Sequence, residues 1–160
     1  MWKYTAKNDY SNISLHDCRI VKVHIDLSDI VFEFNDKGFW IIENNSQNPF
    51  KKTLRTDKSE VRFRDVDVDF TRIYLFRTYH LFKKAVLTRR IELTLEQFAK
   101  KINNSEWEFE FVDELYAWSR AGFDGYVWFN KKPYEYECQI WLFFKEMIYS
   151  WNKICEDRPW

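Results

Sequence analysis

The chain is poor in the residues that interrupt regular structure. Three glycines and three prolines occur in 160 residues. Disordered segments and glycine-rich phosphate loops both need more, so neither is expected. Cysteine is scarce too. Cys18, Cys138 and Cys155 are odd in number and irregular in spacing, which excludes a disulfide framework and fits reduced thiols. The only histidines are His16, His24 and His80, and no CxxC, HExxH or GxSxG pattern is present. The longest apolar runs, such as "IWLFF" (140–144), fall far short of the ~20 residues of a membrane helix. The opening "MWKYTAKNDYSN" has no apolar h-region, so no signal peptide is expected. Net charge is also missing: 25 Lys and Arg balance 25 Asp and Glu. A general basic field for nucleic acid and a polybasic membrane anchor are thereby excluded, though a local patch is not. These absences describe a soluble, cytoplasmic protein without a cofactor, with residues 1–160 as one domain. Low glycine with abundant Lys and Asn gives it a bacterial look.

What the chain has is aromatic side chains and period-two alternation. Phe, Trp and Tyr make up 20% of it, enough in a chain of this length to build a substantial core. Arg19 to Asp26 alternates as a half-buried strand, "LSD" (27–29) is a turn, and residues 30–34 return as a second strand. "NDKG" (35–38) is a turn with Gly38 suited to positive φ, and "FWII" (39–42) is a short strand. Polar residues 43–59 form a long surface loop. Residues 61–70 alternate, with a phase slip that places a bulge or break at Arg64–Asp65. Residues 72–82 are β-forming on both faces, as in a central strand, and 89–93 form another. One helix follows: Thr94 caps it, Gln97 completes a capping box, and Leu95, Phe98, Ala99 and Ile102 share a face.

Residues 106–114 form the clearest strand, with Trp107, Phe109 and Phe111 opposite Glu106, Glu108 and Glu110. Asp124-Gly125 is expected to be a hairpin turn, with 126–130 returning. Tyr134, Tyr136, Cys138, Ile140, Leu142 and Phe144 share one face of a long strand; the tail is a further strand or a helical turn. The fold expected is α+β, mainly β: an antiparallel sheet of about eight strands with one short helix packed on it. A curled half-barrel and a two-layer arrangement both fit.

Three groups of residues could carry chemistry. "ISLHDCRI" (13–20) sets His16, Asp17 and Cys18 side by side. A thiol nucleophile needs a base within hydrogen-bond reach and a group to orient it. On an extended segment Asp17 points away from its neighbours, so the favoured reading is a turn that launches a strand, with Cys18 buried. Asp65, Asp67 and Asp69 are placed on one strand face, yet the glycine and bidentate glutamate of a calcium loop are absent. A solvated face is favoured there, and likewise for the Glu106, Glu108, Glu110 row with cross-strand Lys or Arg. No metal site is assigned. Trp118, Arg120, Phe123, Asp124, Tyr126 and Trp128 cluster around the expected hairpin tip and are the candidate partner-binding residues, because Trp, Tyr and Arg dominate interface hot spots.

"SLHDCRI" with the following "VKVHIDLSDIVFEF" resembles the opening of several small bacterial domain families, in which a Leu-His-Asp stretch leads into two strands. Some of those families are similar to immunity proteins of toxin systems. The resemblance covers residues 14–34 and implies a cytoplasmic protein that works by binding a protein partner, with no catalytic residue to carry over. The expected function is therefore a non-catalytic binding protein, with toxin immunity as its specific form. The alternative is a small-ligand-binding or thiol-dependent hydrolytic domain with a pocket in a curled sheet.

Overall fold

The computed structural model describes all 160 residues. In chain order its elements are β1 Tyr4–Lys7, β2 Ile13–Ser14, β3 Arg19–Asp26, β4 Asp29–Phe34, β5 Trp40–Ile41, β6 Leu54–Thr56, β7 Glu60–Arg64, β8 Arg72–Leu81, β9 Lys84–Leu93, α1 Leu95–Asn103, β10 Glu108–Ala117, β11 Arg120–Trp128, β12 Glu135–Phe143, β13 Glu146–Trp151 and β14 Ile154–Pro159. Ten strands form one antiparallel sheet in the order β1-β13-β7-β4-β3-β10-β11-β12-β8-β9, and four form a second in the order β14-β6-β5-β2. Neither sheet closes into a barrel. One continuous cluster of 35 buried residues joins both sheets and the helix.

Alternation is converted directly into burial. Phe109 and Phe111 of β10, Phe123 and Val127 of β11, and Cys138, Ile140 and Leu142 of β12 all face this core. Aromatic rings fill it: Phe111 meets Phe109 and Phe123 edge-on, Phe32 at a tilt and Phe34 in a stacked arrangement, at centroid distances of 4.9 to 6.4 Å.

The helix has the residues expected of it. Thr94 accepts a hydrogen bond from the Gln97 N–H, and the Gln97 side chain returns the bond to the Thr94 N–H. Leu95, Phe98, Ala99 and Ile102 are buried, and the Phe98 ring meets Phe109 at 6.0 Å. Its last residue fastens it to the sheet. β3 pairs with β10 only at Arg19 and Ile20, which leaves the Val23 backbone without a strand neighbour on that side. The Asn103 side chain takes that place, accepting from Val23 N–H at 2.9 Å and donating to Val23 C=O at 2.7 Å.

Several expectations need correction. The strands number fourteen, because strands of two or three residues such as β2 and β6 lack a detectable period, whereas β5 falls within the short strand expected at 39–42. Residues 43–59 are not one loop: β6 lies within them, and buried Asn45 and Asn48 order the rest by donating to the carbonyls of Asn12, Ile42 and Lys52. The Arg64–Asp65 slip is a break. Asp65 takes φ 49°, and Asp65, Asp67 and Asp69 sit in a turn region after β7, not on a strand face. β8 is next to the sheet edge rather than central, and β9 begins at Lys84 through a tight turn with Phe82 and Lys83 both at positive φ. The tail forms two strands, β13 and β14.

The largest correction concerns Asp124-Gly125. Both residues lie inside β11, and the hairpin turn is Trp118-Ser119, with Trp118 at φ 55°. Two of the three glycines are therefore strand residues, selected by crowding. A Cβ on Gly125 would lie 2.0 Å from the Glu110 carbonyl oxygen, beside the bulge in β10, and one on Gly122 would meet the Trp141 ring at 2.7 Å.

The Asn103 bridge is testable. Asn103→Ala is expected to lower unfolding free energy by ~1–3 kcal/mol, the cost of leaving a buried backbone donor without its partner. Urea denaturation measures this; an unchanged midpoint would remove the bridge from the list of stabilising contacts.

Candidate binding face

The His16–Cys18 segment is a structural junction. Asp17 adopts φ 55°, and its N–H donates to Phe111 C=O at 2.8 Å, while Phe111 N–H donates to Cys18 C=O at 3.0 Å. His16 Nδ1 donates to Val112 C=O at 2.6 Å. From the second sheet, Trp40 Nε1 donates to His16 C=O and Arg55 Nη2 donates to Asp17 C=O, each at 2.8 Å. Arg55 also lies over the Trp40 ring at 4.2 Å, and Trp160 sits between Trp40 and His16 at 4.6 and 5.6 Å. The segment thus links the two sheets.

Cys18 is fully buried, with its sulfur 3.3 Å from His16 C=O and 3.7 Å from Arg55 Nη1. Burial pushes its thiol well above the usual range, and the Arg55 charge does not offset this. Burial does the same to Cys138, with the Asp124 charge adding to it. The other histidines are elsewhere: His24 is exposed and bound to Glu33 at 2.6 Å, and His80 is exposed near the tip of the β8–β9 hairpin. The structure does not bring a base to Cys18.

The six candidate partner-binding residues are dispersed. Trp118 stands fully exposed in the β10–β11 turn with Arg120 beside it. Phe123, expected at a surface tip, is 1% exposed and belongs to the core, because the strand continues through it. Asp124, Tyr126 and Trp128 do share a surface, on the face of the large sheet that points away from α1. Glu108 and Glu110 share it and pair with Arg19, at 3.4 and 2.5 Å, so the expected cross-strand arginine is present. Arg19 in turn lies over the Trp128 ring at 4.8 Å.

Neighbouring strands complete this face. Tyr126 stands opposite Glu137, and Glu137 opposite Phe76; Asp124 stands opposite Asp113 on one side and Gln139 on the other; Trp128 stands opposite Glu135. Two adjoining shallow depressions, of about 320 and 270 Å³, share Phe76, Tyr126 and Glu137 as lining. Asp113, Asp124, Glu135 and Glu137 are all exposed, and none takes part in an ion pair. Asp113 and Asp124 face each other directly, a like-charge pair that disfavours the free sheet. Half-buried rings of Phe76, Tyr126, Trp128 and Trp141 lie among these carboxylates. Of the residues on this face, sequence reasoning singled out Asp124, Tyr126 and Trp128 but not Phe76, Asp113, Glu135 and Glu137. The alternation of Glu135 and Glu137 with Tyr136 and Cys138 was the available signal, but strand order alone brings them to Tyr126.

Comparison with known proteins finds no matching family model, no matching curated protein and no matching solved structure.

The thiols give a direct check. Because burial disfavours both thiolates, iodoacetamide at pH 8 is expected to leave Cys18 and Cys138 unmodified in the folded protein and to alkylate both in guanidinium chloride. Rapid native labelling of Cys18, read by peptide mass spectrometry, would contradict the junction described above.

Proposed function

We propose that the chain is a non-catalytic binding protein that docks a cationic protein surface on the open face of β10, β11, β12 and β8. The observation that carries this is the group of four unpaired carboxylates, Asp113, Asp124, Glu135 and Glu137, set among half-exposed Phe76, Tyr126 and Trp128. Unpaired acids steer a basic partner and repel an acidic one, and rings between them supply apolar area at low entropic cost. A rigid ten-stranded sheet holds both sets in place, so little ordering accompanies binding.

The finer reading is toxin immunity, in which this face covers a basic active site. Enzymes that handle phosphate-bearing substrates carry such a basic field, and an acidic cover would occlude it. The likeness of residues 14–34 to families that include immunity proteins supports this form. The reading of a thiol-dependent pocket draws no support from the surroundings of Cys18.

The test is co-expression with the product of the adjacent gene, followed by affinity measurement at low and high salt. The complex is expected to weaken as salt rises. The double reversal Asp124→Lys with Glu137→Lys, both at exposed positions, should weaken it by about tenfold or more without lowering the melting temperature. Absence of any complex, or full affinity in the reversed variant, would sink the reading.

A further inference from the structure

Balanced overall charge conceals a local imbalance. Residues 71–91 hold six Lys and Arg side chains and no Asp or Glu. They form most of the β8–β9 ladder. Its first half is anchored in the core through Ile73 and Leu75. Its second half, from Arg77 to Arg89, extends past the core. Tyr79, Leu81, Phe82, Val86 and Leu87 are exposed there, five of the chain's 14 exposed large apolar residues, with Phe82 at 92%.

Three observations point to a missing neighbour. First, β9 is the terminal strand of the large sheet, so a ten-residue edge has no strand beside it. The opposite edge, β1, has four residues. Proteins ordinarily shorten or cover such edges, because their free N–H and C=O groups recruit further strands. Second, Arg77 and Arg89 stand directly opposite each other, and neither has an acidic partner. Arg77 instead lies over the Tyr79 ring at 4.9 Å. Like charges directly opposed destabilise a sheet, and a carboxylate beside them would relieve the repulsion. Third, Tyr79 and Leu87 form the next exposed cross-strand pair, an apolar contact beside the two arginines.

We propose that the outer edge of β9 docks an extended acidic segment of a partner protein as an eleventh strand. Main-chain hydrogen bonds along residues 84–90 supply the attachment, and carboxylates alternating with apolar side chains match Lys84, Arg89 and Arg90 around Val86 and Leu87. A second copy of the chain fits poorly: two-fold pairing centred on Leu87 sets Lys84 opposite Arg90 of the other copy. Nucleic acid and anionic lipid would satisfy the cations but leave the free backbone edge unpaired. This edge adjoins the open acidic face, since Arg90 stands opposite Phe76, but the inference rests on the β9 edge and does not depend on the function proposed for that face.

A phage-displayed library of random twelve-residue peptides, panned against the full chain, tests it. Enriched peptides should alternate Asp or Glu with apolar residues, and their affinity should fall with salt. Hydrogen exchange should slow at residues 84–90 on binding. The variant Arg77→Glu with Arg89→Glu, exposed at both positions, should bind at least about tenfold more weakly while melting like the parent. No enrichment, enrichment of basic peptides, protection on the open face instead of β9, or unchanged binding by the variant would overturn the inference. So would a concentration-dependent dimer that the same variant abolishes. Binding of a DNA duplex or of phosphatidylserine vesicles that the variant loses, in place of peptide binding, would reassign the hairpin to that class and equally overturn it.

Discussion

The two sheets meet at Phe111. Its ring contacts Phe32 and Phe34 of β4, Phe123 of β11 and Phe109 of its own strand. Its backbone exchanges hydrogen bonds with Asp17 and Cys18. The carbonyls of His16 and Asp17 then accept from Trp40 and Arg55 of the small sheet. A single strand position thus joins the aromatic core to the turn that carries the second sheet. Polar backbone can be buried there only because each of these groups finds a partner. The thiol of Cys18 fills the remaining space and is electrostatically silenced by it.

Covering one face of so wide a sheet leaves the other open. The helix and the four-stranded sheet occupy the core side, and nothing is packed on the opposite side of β10, β11, β12 and β8. That side is accordingly half polar, with rings lying between carboxylates. Its acids cluster where β10, β11 and β12 run together, while the cations gather on the β8–β9 hairpin at the sheet's edge. A chain of zero net charge therefore presents two surfaces of opposite sign, which a total alone conceals.

Much of this was legible without coordinates. The capping box at Thr94 and Gln97, the buried stripe of α1, the β3–β4 hairpin and the Phe109–Phe111 alternation are local, and local signals are written in neighbouring residues. The break after Arg64 was visible as a change of phase. The errors had a common cause as well. Gly122 and Gly125 resemble turn residues because conformational freedom is the usual reason for glycine. Here the reason is the closeness of Trp141 and of the Glu110 backbone, which no neighbouring residue reveals. Moving the turn to Trp118-Ser119 placed Phe123 in the core and dispersed the expected cluster.

The sequence by itself determined the class of the protein: aromatic-rich, antiparallel and built with one capped helix, because period, caps and composition act over a few residues. Tertiary structure alone decided which strands are neighbours. Strand order set Glu137 beside Tyr126, Asp113 opposite Asp124, and Arg77 opposite Arg89, and it left the outer side of β9 without a strand. Those juxtapositions join residues far apart in the chain, and the pairing that creates them depends on the packing of the whole core.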